Sequence, residues 1–283
     1  MFDDPYGPLY SVVCTDTNPY GTWQVEFLEH TWRRADMPGE LIRLVGTSPD
    51  ELLPLHRTAH VVRTAAKNTH PLAELPYAGF NRLYSLAEWL DTERPVGSVL
   101  ILDSDFAFRA PIHLRANPGE VIVQHWWDFG VSTRIDELLN EISPVGGPFP
   151  PATWPMIFHT SDLRRIMPRW LEITALLKQE QPAFWEADMF AFVAVLREEQ
   201  LEIRYETLGA WMPWPEDAVA GAPIVHYCQP VKNEADETIW YKQQYTPWEP
   251  LDCNPDDAAL DYCRDLLHMF DHFAESRRAR PNR

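Results

Sequence analysis

The sequence predicts an α/β fold with a mainly parallel central sheet flanked by helices and a C-terminal helix. Three observations carry that expectation. Short apolar, β-branched runs alternate with helical segments of about a dozen residues, the pattern of βαβ units. The run "SVLIL" at 98–102 reads as a buried strand. A hydrophobic content of 45% over 283 residues is ample for a large core.

Taken in order, "LYSVVC" at 9–14 is a first strand, and "GTWQVEFLEHTWRRA" spaces Trp23, Phe27, Leu28 and Trp32 as a helix does, with Thr22 as its N-cap. "ELIRLVG" and "AHVVRTA" supply the next strands. "AGFNRLYSLAEWLD" places Phe80, Leu83, Leu86 and Leu90 along one helical face. After the strand at 98–102, "GEVIVQHWWDFG" reads as a strand entering a loop, and "SPVGGPFPPATWP" as an exposed connection. "MIFHTSDLRRIMPRWLEITALLKQE" gives a short strand and a helix interrupted near Pro168. "FWEADMFAFVAVLREEQ" is an apolar helix and "APIVHYC" a late strand. The final helix begins "NPDD", with Asn254 as N-cap, and ends in arginines, so its charges complement the helix dipole.

Composition narrows the functional classes. With 24 basic and 42 acidic residues the formal charge is −18, which repels phosphate-rich polymers and disfavours nucleic acid as a partner. A phosphate-bearing small ligand needs a local basic cluster or a bridging cation to approach such a surface. The four cysteines, Cys14, Cys228, Cys253 and Cys263, show no CxxC pair or zinc-type spacing and are expected as reduced thiols. The first residues carry neither a basic n-region nor an apolar h-region, and no window approaches the ~20 apolar residues of a membrane span. A soluble, cytoplasmic protein is expected.

The segment "SVLILDSDFAF" at 98–108 bears most directly on function. An apolar strand ends in Asp103 and Asp105, and aromatics resume at Phe106 and Phe108. Residues two apart on a strand point the same way, so an extended backbone through Ser104 puts both carboxylates on one side. Close carboxylates repel, and a divalent cation with its preference for hard oxygen ligands relieves that repulsion. The alternative is a solvated turn in which either aspartate caps the next segment. A strand-end ligand adds little to core packing, so replacing Asp105 by Ala is expected to spare the fold.

With these residues in view, the chain resembles the GT-A glycosyltransferases, in which an Asp-x-Asp element at a strand end holds a metal against a nucleotide-sugar diphosphate. More closely, it is similar to the hydroxyproline O-arabinosyltransferase and peptidyl-serine α-galactosyltransferase group. The stretches that carry the likeness are "NPYGTWQVEFLEHTWRRADMPGELIRLV", "GFNRLYSLAEWL", "VLILDSDFAFRAPI", "WEADMFAFVAV" and "IVHYC", in the same order and within about 11–248. Asp188 stands where that group has Glu, and Ser104 where one branch has Pro.

The resemblance implies a GT-A-like nucleotide-sugar transferase domain over 1–250 and a C-terminal helical extension, 251–283, packed on it. It implies Mn²⁺ or Mg²⁺ held by Asp103, Asp105 and His226; imidazole with carboxylate oxygens suits Mn²⁺ better than Ca²⁺. A lone histidine near apolar residues also fits a hydrogen-bonded core position. Asp188, with Glu186 as its rival, is the expected catalytic carboxylate, because glycosyl transfer builds positive charge at the anomeric carbon. A carboxylate on a solvated helical turn is the other reading. Thr15, Asp16 and Arg82 are expected at the donor, Arg82 being otherwise a surface residue. Trp211 and Trp214, with Trp126 and Trp127, are expected either to stack on a sugar or acceptor or to anchor the core. The expected activity is metal-dependent, retaining transfer from a UDP-sugar to a hydroxyl acceptor. A sugar-nucleotide-binding module without turnover and a nucleotide-sugar hydrolase are the alternatives.

Overall fold

In a computed structural model, which describes residues 7–53, 56, 58–125, 133–211 and 214–278, the elements follow the order below. They are β1 (Leu9–Thr15), α1 (Pro19–Arg34), β2 (Glu40–Thr47), β3 (His60–Ala65), α2 (Ala78–Thr92), β4 (Ser98–Leu102), β5 (Phe106–Phe108), β6 (Glu120–His125) and α3 (Thr133–Ile142). Then come β7 (Ala152–His159), α4 (Thr160–Glu180), α5 (Ala187–Glu199), β8 (Glu202–Glu206), β9 (Gly209–Trp211), β10 (Ile224–His226), β11 (Val231–Lys232), β12 (Thr238–Trp240) and α6 (Asp261–Arg278). The chain divides into two compact units. The first comprises Met1–Thr17, Gly39–Leu102 and Leu114–Glu206; the second comprises Asn18–Pro38, Asp103–His113 and Thr207–Arg283.

The first unit is built on a seven-stranded sheet in the order β3-β2-β1-β4-β7-β6-β8. Pairing is parallel except where β7 meets β4 and β6, so the expected mainly parallel sheet is present. Every residue of β4 is buried, as a strand covered on both faces requires. Helix α2 packs on β1, β2 and β3 through the face formed by Phe80, Leu83, Leu86 and Leu90, all fully buried. Gly39 shows why a glycine precedes β2: its φ is +85°, and a Cβ there would lie 2.0 Å from the Leu9 carbonyl oxygen.

Two local expectations change here. Helix α4 runs through Pro168 without a break. Its packing along α2 and α5 outweighs the one backbone hydrogen bond that proline removes. Helix α3, unassigned from the sequence, buries Ile135 and Leu139 at helical spacing.

The second unit joins α1 and α6 to a three-stranded sheet, β5-β10-β9, and to a β11–β12 hairpin. Its core is aromatic. Phe27 stacks on Phe270 with ring centroids 3.8 Å apart, and Trp23, Tyr227, Trp240 and Tyr245 close around Phe270. Asn18, and not Thr22, caps α1: its side chain accepts from the Tyr20 N–H and Pro19 occupies the first turn. The helix therefore starts a turn earlier than the apolar spacing marks. Asn254 caps a short 3₁₀ turn, Pro255–Asp257, while α6 begins at Asp261. Arginines do close α6, as its dipole favours. All four cysteines are free thiols, and no described helix is long and apolar enough to cross a membrane.

Where α1 meets α6, His30 Nε2 lies 3.1 Å from His272 Nδ1. Burial, followed by the nearby His272, Arg33 and Arg34, lowers the His30 pKa to about 4. The unfolded chain binds this proton near pH 6.5. Stability is therefore full above pH 6.5 and declines as the pH falls towards 4. Urea midpoints should drop across that window in wild type, and His30→Gln should flatten the drop; parallel curves for the two proteins would contradict this.

Candidate functional site

Strand β4 ends at Leu102, and Ser104 and Asp105 form a turn before β5. The extended backbone expected through Ser104 is thus replaced by a bend, which gathers the carboxylates in place of strand pleating. The turn is fixed from several sides. The Ser104 hydroxyl donates to Gln24 Oε1 at 2.9 Å, the Tyr227 N–H donates to the Asp105 carbonyl at 3.1 Å, and the Phe108 N–H donates to Thr31 Oγ1 at 3.1 Å. Because β5 runs antiparallel to β10 with Phe106 opposite His226, the histidine at the end of β10 arrives beside the aspartates at the start of β5.

Asp103, Asp105 and His226 consequently each offer a ligand atom, all within 4.8 Å of one another. Ligand atoms around one ion stand no farther apart than twice the metal–ligand distance, roughly 4–5 Å for hard divalent cations. The donor set, two carboxylates and one imidazole, fits a divalent cation. The imidazole is wedged edge-on between Phe106 and Trp211, each 4.6 Å away by ring centroid. Its Nε2 lies 3.2 Å from Asp105 Oδ1, and Cys228 also lies close enough to interact with the ring. Trp214, 5% exposed, stacks on Trp211 at 5.2 Å, and of the two it is Trp211 that contacts the histidine ring.

Lys242, just beyond β12, is the residue the sequence reading missed. Its ammonium pairs with Asp105 Oδ2. The only sequence signal was a single cation embedded in the aromatic run "IWYKQQY". Asp105 is 7% exposed. Burial opposes its ionisation, but His226 and Lys242 together hold its carboxyl well below the usual carboxylate range. Burial likewise works against His226 protonation, yet the Asp105 charge pushes the imidazole up to about 10.

The remaining expected site residues lie in the first unit. Asp188, in the first turn of α5, is 4% exposed, which excludes a solvated turn. Tyr77 Oη lies 2.5 Å from its Oδ1 and Arg82 Nη1 lies 3.4 Å from its Oδ2. Arg82 also stacks over Trp154, 4.7 Å from the ring centroid, so it is a half-buried structural cation as well as a neighbour of Asp188. Burial, then the Asp188 charge, raises the Tyr77 phenol far above its ordinary value, so the phenol stays protonated as a donor. Glu186 occupies the N-cap position of α5 without a side-chain cap bond.

Thr15 and Asp16, at the end of β1, are held by the fully buried Arg43. Arg43 Nε donates to Thr15 Oγ1 at 2.9 Å, and its Nη2 donates to the Asp16 carbonyl at 3.1 Å. The Asp16 side chain remains exposed. Trp126 and Trp127 lie outside the described residues.

No protein-family profile matches the chain. Over 197 residues, 64% of its length, it is 26% identical to a peptidyl serine alpha-galactosyltransferase of Arabidopsis thaliana. The chain spans about a quarter of that curated relative, 23% of its length. It is a distant relative of a glycosyltransferase. That relationship agrees with the α/β fold and with a cluster able to hold a divalent cation.

Burial corrects one expectation about Asp105. Removing it leaves His226 and Lys242 buried without their counter-charge. Asp105→Ala should therefore cost about 3–5 kcal/mol in urea unfolding. A loss below about 1 kcal/mol would show that the carboxylate is not the counter-charge of a buried cluster.

Proposed function

We propose that the chain is a metal-dependent, retaining glycosyltransferase that moves a sugar from a UDP-sugar to a hydroxyl acceptor. The observation that carries this reading is the convergence of Asp103, Asp105 and His226 in a chain of charge −18 that is similar to a glycosyltransferase. An anionic donor meets net repulsion from such a protein, and this cluster is where a cation can offset it. Bound there, a divalent cation would supply positive charge to the departing diphosphate.

The chain's own residues take these roles in the proposal. Asp103 and Asp105 would hold the cation through oxygen, and His226, flanked by Phe106 and Trp211, would add nitrogen after giving up the proton that Asp105 favours on the ring. Asp188, aimed by Tyr77 and Arg82, is the anion that steadies positive charge at the sugar's anomeric carbon. Thr15 and Asp16 contact the nucleoside from a strand end held by Arg43, and Arg82 contributes positive charge towards the donor. Trp211 and Trp214 form an acceptor wall. The name of the relative, a peptidyl serine alpha-galactosyltransferase, supports a hydroxyl such as a serine side chain as the acceptor class.

The test is UDP release from a panel of UDP-sugars with Mn²⁺, with and without hydroxyl acceptors. Release should require both metal and acceptor and should stop on chelation. Asp188→Asn should lower turnover by about 100-fold or more with donor affinity unchanged. Donor binding without turnover under any acceptor would instead identify a binding module. Full-rate release of free sugar without an acceptor would identify a hydrolase.

A further inference from the structure

Asp105 is engaged at both of its oxygens: His226 Nε2 lies 3.2 Å from Oδ1 and the Lys242 ammonium pairs with Oδ2, and all three side chains are largely withdrawn from water. The lysine side chain retains 14% exposure, so one flank of the pair meets solvent. Lys242 follows the short β11–β12 hairpin by two residues, and Tyr20 of α1 lies close enough to sense its charge. A divalent ion bound to Asp103, Asp105 and His226 must share the Asp105 carboxylate with that ammonium. Two cations on one buried carboxylate repel strongly where water cannot screen them. Lysine also has the means to leave: its ammonium is a compact charge on a flexible four-carbon stem, unlike the rigid fork of arginine.

We propose that Lys242 is an exchangeable internal counter-ion, which neutralises Asp105 in the metal-free protein and must be displaced when a divalent cation binds. The lysine thereby keeps the acidic turn folded without metal and weakens the affinity of the cluster for metal. By reciprocity, metal binding releases Lys242 from Asp105. This inference rests on the metal-centre reading of the proposed function.

The experiment titrates the chelator-stripped 283-residue chain with Mn²⁺ alone and follows free aquo-Mn²⁺ by electron paramagnetic resonance. Lys242→Met removes the charge and keeps the stem's bulk. Lys242→Gln also removes the charge but retains a hydrogen-bond donor for Asp105, which protects the fold. Both variants should bind Mn²⁺ about tenfold tighter than wild type. Lys242→Arg, which keeps the charge, should bind no tighter than wild type, whereas a purely packing role would make all three variants alike. Tight binding by the neutral variants with none by wild type would support the exchange most strongly. Wild-type binding that is unchanged or weakened in Lys242→Met and Lys242→Gln would overturn the counter-ion proposal and leave the metal centre standing. Absence of Mn²⁺ binding in wild type and in both neutral variants would overturn the metal centre itself.

Discussion

A buried carboxylate held between a histidine and a lysine organises the second unit. Isolated, the Asp105 charge would be prohibitive at 7% exposure. Held between His226 and Lys242, it ties three separate chain segments together: the turn before β5, the end of β10 and the residues after β12. The aromatic core supports the same arrangement, because Tyr227, next to His226, is packed against Trp23, Phe27 and Phe270 and bonds through its N–H to the Asp105 carbonyl. Packing fixes where these groups stand, and electrostatics fixes which charges they carry. The same features that stabilise the turn also preorganise oxygen and nitrogen donors at ion-binding spacing.

The first unit shows a comparable economy around Asp188. Tyr77 and Arg82 both come from the start of α2, and Trp170 donates to the Asp188 carbonyl at 2.8 Å from α4. Tyr77 and Arg82 thus hold the carboxylate, while Trp170 holds the backbone of the same residue. Preorganisation of this kind is what stabilisation of a developing positive charge requires. Arg43 does similar work for the end of β1, where a fully buried guanidinium satisfies the Thr15 hydroxyl and the Asp16 carbonyl.

Much of this was legible in the sequence, for identifiable reasons. Strands β1 and β4 and helix α2 were readable because their apolar spacing is local and matches one period throughout. Asp103 and Asp105 were readable because they follow an apolar strand, and His226 through the resemblance, since a lone histidine near apolar residues otherwise reads as core. The turn at Ser104 was not, because its cause is tertiary: hydrogen bonds to Gln24 and Tyr227, which are remote in the chain. Pro168 misled because local propensity predicts a break that packing on α2 and α5 overrides. Lys242 was hidden because nothing local marks a lysine as the partner of an aspartate 137 positions earlier. Arg82 read as a donor-side or surface cation, because helical spacing does not reveal the Trp154 ring beneath it.

The central claim is that Asp103, Asp105 and His226 together bind one divalent cation. Pulsed electron paramagnetic resonance on the Mn²⁺-loaded protein tests it most directly. The account predicts modulation from a single directly bound imidazole nitrogen, abolished in His226→Gln. Bound Mn²⁺ with no nitrogen coupling, or coupling that survives the substitution, would contradict it.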